Sequence, residues 1–146
     1  MSDKNYLSTY AKSFNWGGFF LPKLTYKKCS ALYNFCRVVD NIADDKNPIE
    51  IKQNKFHGFK KKFNKKNFDD SVIENMWKLM NEFNFSLNIV QDLFDGIESD
   101  IKSEVRLNSK KELLVYSYRV AGTVGLMMAK ILKVHKKESL KSAIDL

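Results

Sequence analysis

Four residues able to do chemistry stand in register on one segment, ALYNFCRVVDNIADD at 31–45. Tyr33, Arg37, Asp40 and Asp44 are spaced by four, three and four, so on an α-helix they line a single stripe. Leu32, Phe35, Val39 and Ile42 repeat at three, four and three and form a second, apolar stripe on a neighbouring face. Like charges four residues apart destabilise a helix by roughly 0.2–0.5 kcal/mol, so Asp40 and Asp44 need compensation. Arg37, one turn upstream, could neutralise Asp40. The other reading is a divalent-cation site. Mg²⁺ takes hard oxygen ligands, usually one or two protein carboxylates, and completes its octahedron with water and substrate phosphate. An arginine beside such a site suits the phosphate. Spacing alone leaves both readings open.

The elements that must position this stripe all read as helices. A short helix over 6–14 meets a turn at Trp16-Gly17-Gly18, and Pro22 marks the next boundary. The acidic stripe then rides on a helix over 24–43. Asn47, Pro48 and Glu50 read as N-cap, first-turn proline and third-position acid for a helix through about Asn64. Asp69 or Asp70 caps a fourth helix with Val72, Met76, Leu79, Met80 and Phe83 inward. Ser86 caps a fifth with Leu87, Val90, Leu93, Phe94 and Ile97 inward. Ser109 and Glu112 form a capping box that opens a long sixth helix to about Lys133, and a seventh begins near Lys137. No segment alternates with period two. The fold class is all-α, and neither a repeat nor a linker divides the chain.

Composition bounds the function classes. At 146 residues with 44% hydrophobic content, the chain can bury one real core. Its first ten residues are polar and no apolar run approaches a membrane span, so a cytoplasmic protein, soluble or peripheral at a membrane, is expected. Cys29 and Cys36 lie seven residues apart on one predicted helix, about 10 Å, which excludes a disulfide between them. They read as packing residues in a reducing compartment. The net charge of +8 draws on Lys55, Lys60, Lys61, Lys62, Lys65 and Lys66, interleaved with Phe56, Phe59 and Phe63 at helical spacing. That pattern reads as a buried phenylalanine face with solvated lysines, with contact to an anionic membrane surface as the second reading. No nucleic-acid motif accompanies the charge, and no nucleic-acid partner is expected. His57 and His135 stand among lysines and read as surface residues.

Toward the C-terminal end, Ala121, Gly125 and Ala129 recur every four residues with Gly122 beside them. Two glycines inside a helix cost about 1 kcal/mol each relative to alanine, so either another helix packs closely there or a slender ligand lies against the backbone. Gln91, Asp95 and Glu98 share a face with Asp92 nearby, which reads as a solvated acidic face partnered by Lys102.

Three stretches together carry a family likeness: YAKSF at 10–14 followed by FFLPK at 19–23, ALYNFCRVVDNIADD at 31–45, and YSYRVAGTVGLMMAKIL at 116–132. DLFDGIESDI at 92–101 stands where the family has a similar acidic helix. In order and separation these stretches resemble the squalene and phytoene synthases, which join two prenyl diphosphates head to head. The resemblance implies the N-terminal half of an isoprenoid synthase-type helical bundle, a single partial domain over 1–146 that stops before the family's second aspartate-rich motif. It also implies that Asp40 and Asp44 are the first aspartate-rich motif and hold Mg²⁺, with Mn²⁺ an alternative. Asn41 stands where many members have a further aspartate.

By the same likeness Arg37, Ser13, Lys12 and Tyr33 contact diphosphate. Tyr116 is a catalytic residue at the cyclopropyl intermediate, and Val120, Ala121, Val124, Gly125 and Met128 line the prenyl channel. The implied reaction makes phytoene from two geranylgeranyl diphosphates in carotenoid biosynthesis, or squalene or dehydrosqualene from farnesyl diphosphate. As half of a bundle the chain is expected to be inactive alone or nearly so. A gene fragment, a subunit whose second polypeptide supplies the missing helices, and a non-catalytic prenyl-lipid or membrane-binding helical protein all remain open.

Overall fold

A computed structural model of the chain describes residues 20–102 and 108–133. All regular structure among them is helical. In chain order the elements are α1 (Lys23–Ala43), α2 (Ile49–Asn64), α3 (Ser71–Phe83), α4 (Leu87–Lys102) and α5 (Lys110–Ser117), then a π turn (Tyr118–Gly122) leading into α6 (Thr123–Ile131). The expected helix over 6–14 and the one near Lys137 lie outside the described residues.

The apolar stripe of α1 is the axis of the molecule. Leu32, Phe35 and Val39 are buried and Ile42 packs against them, as the spacing requires. α1 accordingly touches α2, α3, α4 and α6. Phe56, Phe59 and Phe63 of α2 are buried while the lysines between them face outward; Lys60 is the partial exception, half-buried beside Glu98. The phenylalanines converge on Phe94 of α4, whose ring centre lies 5.3 Å from Phe63, 5.9 Å from Phe56 and 6.0 Å from Phe35, edge-on to the first two. Edge-to-face and tilted arrangements at such distances each add about 0.5–1.5 kcal/mol beyond burial. Trp77 of α3 stacks on Phe63 at 5.1 Å and donates its indole N–H to the Phe63 carbonyl.

Local signals account for the boundaries, with corrections. Asp70 caps α3 by accepting from the amides of Val72 and Ile73, and Asn84 closes it in the left-handed conformation that asparagine tolerates. Ile73, not singled out above, is wholly buried, and Val72 only partly so. Ser86 does cap α4, but Leu87 is exposed, because its place as the first residue of α4 carries it clear of the packed face. Asn47 is not an N-cap. Its amide donates to Asp45, and α2 begins one residue later than expected, on the carbonyl of Pro48. Ser109 caps α5 as expected, while Glu112 reaches back to the amide of Asn108 instead of Ser109.

The single helix expected from 109 to 133 is interrupted. At the π turn the Thr123 amide donates to the Tyr118 carbonyl, five residues back, and the buried Thr123 hydroxyl satisfies the Arg119 carbonyl at 2.9 Å. The π turn packs closely against α4. A Cβ on Gly96 of α4 would sit 2.9 Å from both Arg119 Cβ and Val120 Cγ1, so backbone and backbone meet there as only glycine allows. π turns of this kind cluster at functional sites.

Candidate active site

The stripe of α1 runs from core to surface. Tyr33, Arg37 and Asp40 are half-buried, and Asp44 is exposed at the C-terminal end of the helix. That end carries partial negative charge from the helix dipole, and the last turn of α1 holds no basic residue. Two carboxylates on this end compound the cost. Burial and the neighbouring Asp44 charge push the Asp40 carboxyl above its ordinary value, and Asp100 pushes in the same direction. Arg37 pulls it down but does not win. Burial therefore outweighs Arg37 at the Asp40 carboxyl. Asp45 stands apart, engaged by Lys55 at 2.9 Å and by Asn47, which hold its carboxyl below the usual range.

Asp100 is the residue that sequence reasoning missed. It sits on α4 in line with Leu93, Gly96 and Ile97, on the inward side of that helix. Its signal was a carboxylate on an otherwise apolar stripe. The acidic face weighed instead is spent elsewhere: Glu98 pairs with Lys60 at 3.5 Å and Lys102 at 3.6 Å, and Gln91 donates to Asn64. Asp100 accepts a 2.7 Å hydrogen bond from the Tyr116 hydroxyl, joining α4 to α5. That bond, burial and the charges of Asp100 and Asp40 push the Tyr116 phenol up to about 12. Tyr116, Asp100 and Asp40 thus lie within electrostatic reach of one another, from three helices.

Burial, and secondarily the Asp40 charge, pushes the Cys36 thiol up to about 12, so it stays a neutral thiol. Among the channel candidates, Val124 and Met128 pack against the core. Val120 meets Gly96, Gly125 is half-buried and Ala121 is exposed. Ser13 and Lys12 lie outside the described residues. Among the described residues no three His, Cys, Asp or Glu side chains converge as a metal cage. Asp40 and Asp44 offer carboxylate oxygens, the donor type that suits a hard cation.

The squalene/phytoene synthase family model matches residues 7–146. The chain belongs to the squalene/phytoene synthase family. Among curated members of the family, it is 28% identical over 131 residues to phytoene synthase 1 of Zea mays, covering 86% of this chain and 31% of that enzyme. It is 29% identical over 133 residues to the 4,4′-diapophytoene synthase of Staphylococcus haemolyticus, covering 86% of this chain and 45% of the other. A crystal structure of a dehydrosqualene synthase in complex with ligand superposes with a TM-score of 0.72 at 26% identity, over 86% of this chain and 44% of that one. The chain thus spans less than half the length of the family members it matches, and its helices are those of the all-α isoprenoid synthase fold.

Proposed function

We propose that this chain supplies one wall of a prenyl diphosphate coupling site of the phytoene synthase type. The carrying observation is that Asp40 and Asp44 stand one turn apart at the C-terminal end of α1, with Arg37 one turn upstream on the same stripe. In this reading Asp40 and Asp44 hold Mg²⁺ (or Mn²⁺), and Arg37 and Tyr33 meet the diphosphate. A divalent cation bound there would neutralise the charge that develops on diphosphate as it leaves. Arg37 adds fixed positive charge beside the same group. Val120, Val124 and Met128, with Ala121 and Gly125, offer the apolar surface along which a prenyl chain would lie. Ser13 and Lys12 extend the diphosphate contacts.

Two geranylgeranyl diphosphates are the first choice of substrate. Two farnesyl diphosphates are the second, favoured by the staphylococcal relative and the dehydrosqualene synthase structure. Peripheral contact with an anionic membrane through Lys61, Lys62 and Lys65, all exposed on α2, is part of the proposal. No described helix is long and apolar enough to cross a membrane.

The test is calorimetric titration of inorganic diphosphate into the chain with and without Mg²⁺, alongside radiolabelled geranylgeranyl and farnesyl diphosphates. Mg²⁺-dependent binding that disappears in the Asp40→Ala, Asp44→Ala double variant, without turnover by the chain alone, is expected. Binding indifferent to both Mg²⁺ and the aspartates would overturn the assignment.

A further inference from the structure

Tyr116 lies on a helix with no buried residue of its own, so little in α5 fixes its hydroxyl. What fixes it comes from α4. Gly96 lets the π turn approach until side-chain and backbone atoms are in contact, and Asp100, one turn beyond Gly96, then meets the Tyr116 hydroxyl at 2.7 Å. A phenol has a single hydrogen to give. Once it is committed to Asp100, the oxygen presents only lone pairs to anything else that approaches.

We propose that Asp100 is the positioning residue for Tyr116, taking the phenol's one hydrogen and so turning its oxygen from a hydrogen-bond donor into an acceptor. This rests on the reading of the site as a prenyl diphosphate coupling wall and deepens it. An allylic diphosphate leaves positive charge on the hydrocarbon when it ionises, and a phenol oxygen made electron-rich by a carboxylate stabilises that charge. Tyr116 in this arrangement steadies a cation and does not act as a proton donor. Asp100 acts on the site through the phenol it holds, and its charge also reaches Asp40. The π turn belongs to the same device. A regular α turn at Tyr118–Gly122 would change the rotation between Tyr116 and α6, and the phenol would lose its alignment with Asp100.

The test uses the chain alone, without Mg²⁺ or prenyl substrate, so its failure is separate from failure of the diphosphate-binding assay. The protein is labelled with 3-fluorotyrosine, whose more acidic phenol titrates where the helices stay folded, and followed by ¹⁹F NMR. Tyr116→Phe identifies its resonance among the six tyrosines. In the wild-type chain the Tyr116 resonance is expected to titrate well above the others. A gap of two units would leave it about 1% ionised where a neighbour is half ionised. Asp100→Asn should bring it down into their range, and Asp100→Glu should keep it raised. A Tyr116 resonance that titrates with the others in the wild-type chain would overturn the proposal. So would one that Asp100→Asn leaves in place.

Discussion

Two glycines on the surface-exposed and the buried sides of neighbouring helices should answer oppositely to the same substitution. Gly58 of α2 and Gly96 of α4 both occupy helix interiors, where alanine is preferred by about 0.8–1.0 kcal/mol. A methyl on Gly58 meets nothing within 4 Å, so Gly58→Ala should keep that gain. A methyl on Gly96 meets Arg119 Cβ and Val120 Cγ1 at 2.9 Å and the Arg119 carbonyl carbon at 3.2 Å. Carbon atoms prefer about 3.5–4.0 Å, so α4 and the π turn must part by roughly 0.6–1 Å. The obstructing atoms are a Cβ, a β-branched methyl and backbone, none of which can swing aside. Overpacking of this kind costs about 1–3 kcal/mol, which offsets the helical gain and exceeds it in most of that range. The two variants should therefore differ by about 1–3 kcal/mol, some 3–10 °C in Tm for a chain this size. Thermal and urea denaturation followed by circular dichroism measure this directly. Gly96→Ala equal to or more stable than Gly58→Ala would refute the close-approach argument, and with it the account of how α4 carries Asp100 to Tyr116.

Asp40→Asn should stabilise the metal-free chain at pH 7, because burial and the Asp44 charge outweigh Arg37 there, and the like-charge repulsion it removes is roughly 0.2–0.5 kcal/mol. Because folding raises the Asp40 pKa, the folded state favours the protonated acid. That advantage is present below the ordinary carboxylate range and lost as pH rises through the raised value, so the benefit of asparagine should shrink on acidification. Denaturation midpoints at pH 7 and pH 4 check the sign, and the same variant should lose Mg²⁺-dependent diphosphate binding. Phe94→Ala, which removes the ring that Phe35, Phe56, Phe59 and Phe63 all meet, should cost about 3–5 kcal/mol by urea denaturation. Replacing Lys61, Lys62 and Lys65 with glutamate should abolish co-sedimentation with phosphatidylserine vesicles, each lysine contributing about 1 kcal/mol near an anionic surface. Unchanged sedimentation would remove the membrane contact from the proposal.

Most of the helical layout was legible because each helix carries its own period and its own cap. The α1 stripe, the phenylalanine face of α2 and the caps at Asp70, Ser86 and Ser109 are local facts, written within a few residues of where they act. The errors fell at helix ends, where the immediate surroundings overrode residue type or period. Asn47 had the right type to cap α2 but is taken by Asp45, and Leu87 had the right period but lies at the edge of the packed face.

By itself, the sequence determined the all-α class, the core stripes and the placing of Asp40, Asp44 and Arg37 on one face, because a helix converts spacing into geometry without help. Tertiary structure decided the rest. It shifted the Asp40 carboxyl upward, since burial and Asp100 act from outside the helix that holds it. It also set Asp100 against Tyr116 and brought the π turn against Gly96, because those contacts depend on how closely α4 approaches. Sixteen residues of sequence separate Asp100 from Tyr116, and no periodicity spans that gap.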